Sequence, residues 1–326
     1  MSTGHVVLVV VEHHDGVPRA SATELATAAR GLGEVHAVWF GEEPGAQAVS
    51  LLGAHGVAAV HVVPVPDVSA ALPGAVAASL ASLTVEAGAD VVLLASGFEA
   101  KEVAALLARA TDAALMVDAA GVGRGADGRV ETTQQAFAAT WTLRSIAEVD
   151  RAVVTVRSNA VRAVPVPEQT TPQVRAAAPA VDADPRVRVV ERTARARSGR
   201  PDVGEAQVVV VGGRGTEGDF AVVEDFADAL GGAVGATRDA TDEGWMPHEA
   251  MVGQTGQTIS PRLYVGAGVS GAVHHRGGMQ ASGTVVAVNV DPDAPIFEFA
   301  DYGVVGDLFE VLPQAAAEVR RLRGRS

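Results

Sequence analysis

Cysteine is absent from the 326 residues, which excludes disulfides, iron–sulfur clusters and thiol catalysis together. Lysine is nearly absent: Lys101 is the only one, and the other basic residues are arginines. Aromatics make up only 4 %, with Tyr264 and Tyr302 the sole tyrosines and Trp39, Trp141 and Trp245 read as packing residues. Positive charge is in deficit. Thirty-nine acidic residues against 25 basic ones leave a net charge of −14, the opposite of the basic field that nucleic-acid binders carry. No apolar run approaches the ~20 residues of a membrane span. Residues 1–10 lack the basic start, long apolar run and small-residue cleavage site of a secretory signal, so a cytoplasmic location is expected.

What is present is a large apolar share, 48 %, and enough length for about two domains at ~100–200 residues each. Short β-branched runs alternate with Ala/Leu-rich stretches, the pattern of a parallel sheet covered by helices. In the first half this predicts strands over 5–11, 35–40, 58–65 and 90–95, and helices over 22–32, 46–53, 71–86 and 100–110. An irregular, antiparallel section follows and ends in a strand over 152–157. From 159 to 205 the periodicity fades among Pro165, Pro167, Pro172, Pro179, Pro185 and Pro201. Proline removes backbone donors and stops helices, so this stretch reads as a connector with one strand at 188–191; its arginines between 186 and 200 read as a solvated face. A second α/β unit then predicts strands over 207–211, 262–266 and 284–290. Its helices are expected over 219–230, from near Ser270, and over 313–323. The fold class is therefore α/β: an N-terminal parallel-sheet, nucleotide-binding-like domain over 1–190, then a doubly wound domain over 205–326.

Two strand–glycine–helix junctions in the second half have the makings of phosphate sites. A helix start presents unpaired N–H groups, and glycine lets a diphosphate approach the backbone. Gly212-Gly213-Arg214-Gly215 is one such turn, and a plain tight turn explains it equally well. Gly266-Ala267-Gly268-Val269-Ser270-Gly271 is the other: it satisfies G-x-G-x-x-G between strand and helix, with Asp291 twenty residues beyond Gly271. Template alone points to a nicotinamide dinucleotide and a dehydrogenase. Such an enzyme needs a general acid or base, and His5, His13, His14, His36, His55 and His61 form no recognisable constellation. Adjacent His274 and His275 on a helix point about 100° apart and make a poor metal pair. Gly268-Val269-Ser270-Gly271-Ala272 misses the last glycine of a nucleophile elbow.

A longer pattern runs through these junctions. The stretch 261–313, PRLYVGAGVSGAVHHRGGMQASGTVVAVNVDPDAPIFEFADYGVVGDLFEVLP, follows VVGGRG at 210–215, GATRDATDEGW at 235–245 and VGQTG at 252–256. Together they resemble the signature region of the electron transfer flavoprotein alpha subunit, in that family's order and spacing. VVLVVVEHHDG and AVVTVRSNAV in the first half resemble its first domain more loosely. The resemblance implies an FAD-binding electron carrier, paired with a beta subunit, that accepts electrons from flavin dehydrogenases and passes them to a quinone oxidoreductase.

Site residues carry over position by position. Arg214 matches the arginine of GGRG, and Thr237 and Arg238 match the hydroxyl and cation beside the isoalloxazine. Val252, Gly253, Gln254 and Thr255 match the GQT loop, whose threonine faces flavin N5. Ser270, Gly271, Ala272, Val273, His274 and His275 match SGA-x-x-H, wrapping the pyrophosphate and ribityl side, with His275 near the flavin O2 edge. Asn289 and Asp307 match contacts on the adenosine side; an N-cap explains Asp307 almost as well. Reduction places negative charge on the N1–C2=O edge, where a nearby cation or hydrogen-bond donor raises the potential, and Arg238 and His275 fit that role. The chain departs from the family at His274, where glutamine is usual, and at Gly266, where alanine is common. A flavin-binding subunit without carrier turnover is the third reading, separable only by reduction with a partner dehydrogenase.

Overall fold

The computed structural model describes residues 4–64, 72–137, 140–178, 190–191 and 199–324. It divides into two compact units: Met1–Gln135 with Thr142–Arg195, and Ala136–Trp141 with Ala196–Ser326.

Unit 1 begins with β1 (Val6–Val11), the two-residue strands β2 (His13–His14) and β3 (Val17–Pro18), α1 (Ala20–Ala29) and β4 (Glu34–Phe40). It continues through α2 (Ala46–Ala54), β5 (Val57–Val63), α3 (Pro73–Glu86), β6 (Ala89–Ala95) and α4 (Phe98–Thr111). Then come β7 (Ala114–Arg124), β8 (Val130–Ala136), β9 (Trp141–Ile146), β10 (Ala152–Val156) and β11 (Gln173–Ala176). Among the described residues nine strands form one sheet, in the order β11-β5-β4-β1-β6-β10-β7-β8-β9. Every pairing from β11 to β7 is parallel, and β8 runs antiparallel to β7. The valine runs of the central strands supply both faces. Val7, Val9 and Val11 pack with Ala22, Leu25 and Ala26 of α1 on one side. Leu8, Val92 and Leu94 pack with Leu80, Leu83, Val103 and Leu107 of α3 and α4 on the other. Strands buried on two faces read as continuous apolar runs, which is why the sequence pattern finds them.

The four predicted helices and four predicted strands of the first half exist, with ends moved by a few residues. Residues 65 and 71, and most of the strand expected at 188–191, lie outside the described residues; Val190 and Glu191 are not in a strand.

Unit 2 contains β12 (Val208–Gly212), α5 (Ala221–Leu230), β13 (Ala233–Ala236), α6 (Arg238–Asp242), β14 (Leu263–Ala267) and α7 (Val273–Met279). It closes with β15 (Thr284–Asn289), β16 (Tyr302–Val305) and α8 (Leu308–Arg323). Its five strands are all parallel, in the order β13-β12-β14-β15-β16. Phe226 and Ala227 of α5 and Leu312 and Ala316 of α8 cover one face. Val252, Ile259 and Met279 cover the other, against Val209, Tyr264 and Val285. The unit is doubly wound, as expected.

Two helix starts differ from the sequence reading. The helix expected near Ser270 begins at Val273, because Gly268 and Gly271 both adopt left-handed backbone, φ +62° and +86°, which no right-handed helix contains. The last helix begins at Leu308, not Pro313. Asp307 caps it by accepting a hydrogen bond from the Phe309 amide at 2.8 Å, and Pro313 sits inside it.

Candidate functional site

After β12 the chain crosses through α5 to β13 on one side; it then returns to β14 on the other. The strand order reverses between β12 and β14, and such switch points at the carboxyl ends of parallel strands are where α/β sheets form ligand crevices. The two glycine junctions of the sequence meet there. The Gly213 amide donates to the Ala267 carbonyl at 3.0 Å, and the Gly215 amide to the Gly268 carbonyl at 3.1 Å. The approach is too close for side chains: a Cβ on Gly213 would lie 2.3 Å from the Gly268 oxygen, and one on Gly268 would lie 2.7 Å from the Gly215 Cα. Backbone cannot yield as a flexible side chain can, so these glycines create the crevice.

A cleft of ≈ 310 Å³ opens at this point, at the lower end of the ~300–1,000 Å³ typical of ligand pockets. Arg214, Thr237, Arg238, Ser270, Ala272, His274, His275 and Asn289, all expected at the site, line it. Gly215, Gly268, Val269, Asp239, Asp291, Ala294 and Pro295 line it too. Gly215, Gly268 and Asp291 had already stood out as motif residues. Asp239, Ala294 and Pro295 carried no signal by themselves, although each falls within a matching stretch.

Val252, Gly253, Gln254, Thr255, Gly271, Val273 and Asp307 are not among the lining residues. The 252–255 segment instead packs along α7, from His274 to Gly278. The Gln254 amide donates to the His274 carbonyl at 2.9 Å, and a Cβ on Gly278 would fall 2.4 Å from the Gly253 backbone. The Gln254 side chain also reaches His274 Nδ1 at 3.2 Å. The unusual histidine is therefore tied to the GQT loop, and as the carboxamide oxygen can only accept, His274 is the donor. Asn289 donates from Nδ2 to the Val269 carbonyl at 2.9 Å and accepts from the Asp291 amide at 3.0 Å, bracing the far wall.

Two arginines dominate the charge. Arg238 is 64 % exposed and pairs with Asp242 one turn along α6 at 3.2 Å; Arg214 lies 3.5 Å from Asp239. Such exposed pairs are weak, so both guanidiniums can be redirected to an anion. Thr237 is only 8 % exposed, and its Oγ1 has no hydrogen-bond partner. It stands at the N-cap of α6 yet caps nothing. A buried hydroxyl without a partner costs about 1–3 kcal/mol, and this one lies in the wall of the cleft.

His275 corrects the sequence reading. It lines the cleft but is buried, and both ring nitrogens are engaged: Nδ1 lies 3.0 Å from the Val252 carbonyl and Nε2 lies 2.6 Å from the Tyr264 hydroxyl. A carbonyl only accepts, so Nδ1 carries the proton and Nε2 accepts from the tyrosine. Burial lowers its pKa to about 4, partly opposed by the Val252 hydrogen bond, while burial pushes the Tyr264 hydroxyl upward. His275 is a neutral ring at ordinary pH. With Nδ1 already donating to Val252, the ring offers the cleft neither a cation nor a free donor, and the positive charge of the lining comes from Arg214 and Arg238.

A phosphorylated ligand fits these residues: a side-chain-free crevice, an unpartnered hydroxyl and two redirectable guanidiniums. Among the described residues no group of three or more His, Asp or Glu could hold a metal, and no helix is long and apolar enough to cross a membrane.

Comparison with known proteins gives a consistent result. Residues 7–184 match the family model described as electron transfer flavoprotein domain, and residues 202–280 match electron transfer flavoprotein FAD-binding domain. The chain is 42 % identical over 321 residues to electron transfer flavoprotein subunit alpha of Mycobacterium leprae, covering 97 % of this chain and 99 % of that one. It is 43 % identical over 325 residues to the subunit of the same name from Mycobacterium tuberculosis, covering 98 % and 99 %. With the mitochondrial subunit alpha of Arabidopsis thaliana identity rises to 55 %, over 117 residues that make up 35 % of this chain and 32 % of the other.

Proposed function

The chain belongs to the electron transfer flavoprotein family, as an alpha subunit and electron carrier, and from that premise we propose that the cleft of unit 2 holds one noncovalent FAD. The observation that carries this is the crevice where 212–216 and 267–271 cross, with the unpartnered Thr237 hydroxyl in its wall. Bound there, FAD supplies reversible electron acceptance, which no side chain of this cysteine-free protein can provide.

The chain's own residues do the rest. Arg214 and Arg238 turn from Asp239 and Asp242 toward the ligand's negative charge. Thr237 donates its free hydroxyl. Ser270 and the start of α7 face the diphosphate, and Asn289 holds the adenosine end with Asp307 nearby. Val252, Gly253, Gln254 and Thr255 back the ring from outside the lining, with Gly271, Ala272, Val273 and His274 completing the turn. The partner in this reading is a beta subunit forming a 1:1 heterodimer, the donors are flavin dehydrogenases, the acceptor is a quinone oxidoreductase, and the setting is the cytoplasm. Beyond the glycine template, the dehydrogenase alternative gains no support: every relative compared is an electron transfer flavoprotein subunit alpha.

The test is the absorption spectrum of the chain co-expressed with its beta subunit, followed by acid precipitation. A yellow preparation that releases all its colour as FAD into the supernatant supports the proposal. A colourless one that binds NADH contradicts it.

A further inference from the structure

Asp291 stands twenty residues beyond Gly271 in the sequence and lines the cleft. It follows β15, whereas Arg214 and Arg238 follow β12 and β13. In the strand order β13-β12-β14-β15 the cleft therefore carries its arginines at one end and this carboxylate at the other. Two strand spacings, roughly 10 Å, separate β12 from β15, with the glycine turn after β14 between them. Of the two carboxylates in the lining, Asp239 lies 3.5 Å from Arg214, while Asp291 has no ion-pair partner among the described residues. We infer that Asp291 reads the ribose of the adenosine half of the ligand: its carboxylate accepts hydrogen bonds from the 2′ and 3′ hydroxyls, and its charge turns away a ribose phosphate.

On the reading of the cleft as an FAD site, from which this follows, the diphosphate spans the glycine turn and the two ends of the molecule fall on opposite sides of it. The flavin belongs at the arginine end, where its negative charge on reduction is stabilised; the adenosine then falls at β15. The carboxylate there is already held for a diol. Its Oδ1 accepts from the Asp293 amide at 3.0 Å, and the Asp291 amide donates to Asn289 Oδ1 at 3.0 Å. Oδ2 accepts from no described group. Asn289 is tied through Nδ2 to the Val269 carbonyl at 2.9 Å and forms the wall, while Asp307 caps α8 from outside the lining. An ionised carboxylate only accepts, so it suits hydroxyl donors, whereas a phosphate on the ribose would bring like charge in place of a donor. An aspartate about 20 residues beyond a glycine turn serves a ribose in the same way in other dinucleotide folds. Ala294 and Pro295 line the cleft beside Asp291 and give the base an apolar surface. An acceptor fixed in advance also costs little ordering on binding.

The experiment is a fluorescence titration of the flavin-free complex, co-expressed with its beta subunit, with FAD and two analogues altered only at the adenosine ribose, 2′-deoxy and 2′-phospho. Loss of a hydrogen bond to a charged group should make the parent bind the 2′-deoxy analogue roughly 10–100-fold more weakly than FAD. The 2′-phospho analogue should bind more weakly still. Asp291→Asn keeps an oxygen for the Asp293 amide but removes the charge. It should narrow the gap between FAD and the 2′-deoxy analogue to a few-fold, and should take the 2′-phospho analogue more tightly than the parent does. A merely structural aspartate would instead lower all three affinities together and leave their ratios unchanged, because each ratio is taken within one protein. Asp291→Ser, which also keeps an acceptor for the turn, decides the matter if Asp291→Asn does not fold. Equal affinity of the parent for FAD and the 2′-deoxy analogue, or the same ratio in parent and variant, overturns the role of Asp291 while leaving the cleft an FAD site. Failure of FAD itself to bind overturns both.

Discussion

Replacing Thr237 with valine should move two quantities in opposite directions. The hydroxyl is buried, lines the cleft and bonds to nothing, so the flavin-free protein bears a desolvation cost of about 1–3 kcal/mol. Valine has nearly the same shape and suits the extended backbone at this position, φ −75° and ψ 163°. The flavin-free variant should therefore be more stable, by about 1 kcal/mol, which corresponds to a rise in Tm of roughly 2–8 °C. Binding should weaken instead, because a net hydrogen bond worth about 0.5–1.5 kcal/mol is lost, a factor of roughly 2–10 in Kd. Calorimetry of the flavin-free complex and a fluorescence titration with FAD measure the two. Thr216→Val is the control: its Oγ1 donates to the Gly213 carbonyl at 2.9 Å, so valine there should only destabilise. A Thr237→Val protein that melts lower and binds FAD unchanged would refute the reasoning, since the hydroxyl would then have a partner within the protein.

Other outcomes follow from the same geometry. Arg238→Ala should lower the reduction potential of the bound flavin by about 40 mV, the value of a water-screened unit charge at ~4 Å, whereas Asp242→Asn should raise it by freeing Arg238 from its pair; spectroelectrochemical titration at full FAD occupancy reads both. Stability should also depend on pH through two buried imidazoles. His61 is held to about 4 by burial, with His36 and Arg175 adding to it, and His275 by burial. Each is neutral in the fold, so the unfolded chain takes up protons first. The stabilisation is complete above about pH 6.5, declines as the pH falls below that, and is lost near pH 4. Urea midpoints at pH 7, 6 and 5 should drop, and His61→Asn should flatten the decline; a flat profile for the parent would contradict it.

Much of this was legible in the sequence, for identifiable reasons. Valine runs such as 6–11 and 208–211 announce strands because strands covered on both faces need no polar alternation. G-x-G-x-x-G at 266–271 announces a turn because only glycine adopts φ +62° and +86° readily. Less legible was whatever depends on strand order. That Gly213 lies against Gly268 follows from β12 and β14 being neighbours, which no local pattern encodes. Asp307 resolves as an N-cap only once Phe309 is seen to donate to it. The surroundings of His275 are set by Tyr264 and Val252, eleven and 23 residues away in sequence, which no local pattern encodes. Residue type names the available chemistry, whereas tertiary packing selects the protonation state.

The cleft's occupant can be footprinted directly by hydrogen–deuterium exchange of the complex with and without FAD. Protection on FAD addition is expected to concentrate in residues 212–216, 237–240, 252–256 and 267–275 of unit 2, with no comparable change at the carboxyl ends of β1, β4 and β6 in unit 1. Protection centred on unit 1, or spread evenly over both units, would contradict the assignment of the flavin to the β12–β14 crevice.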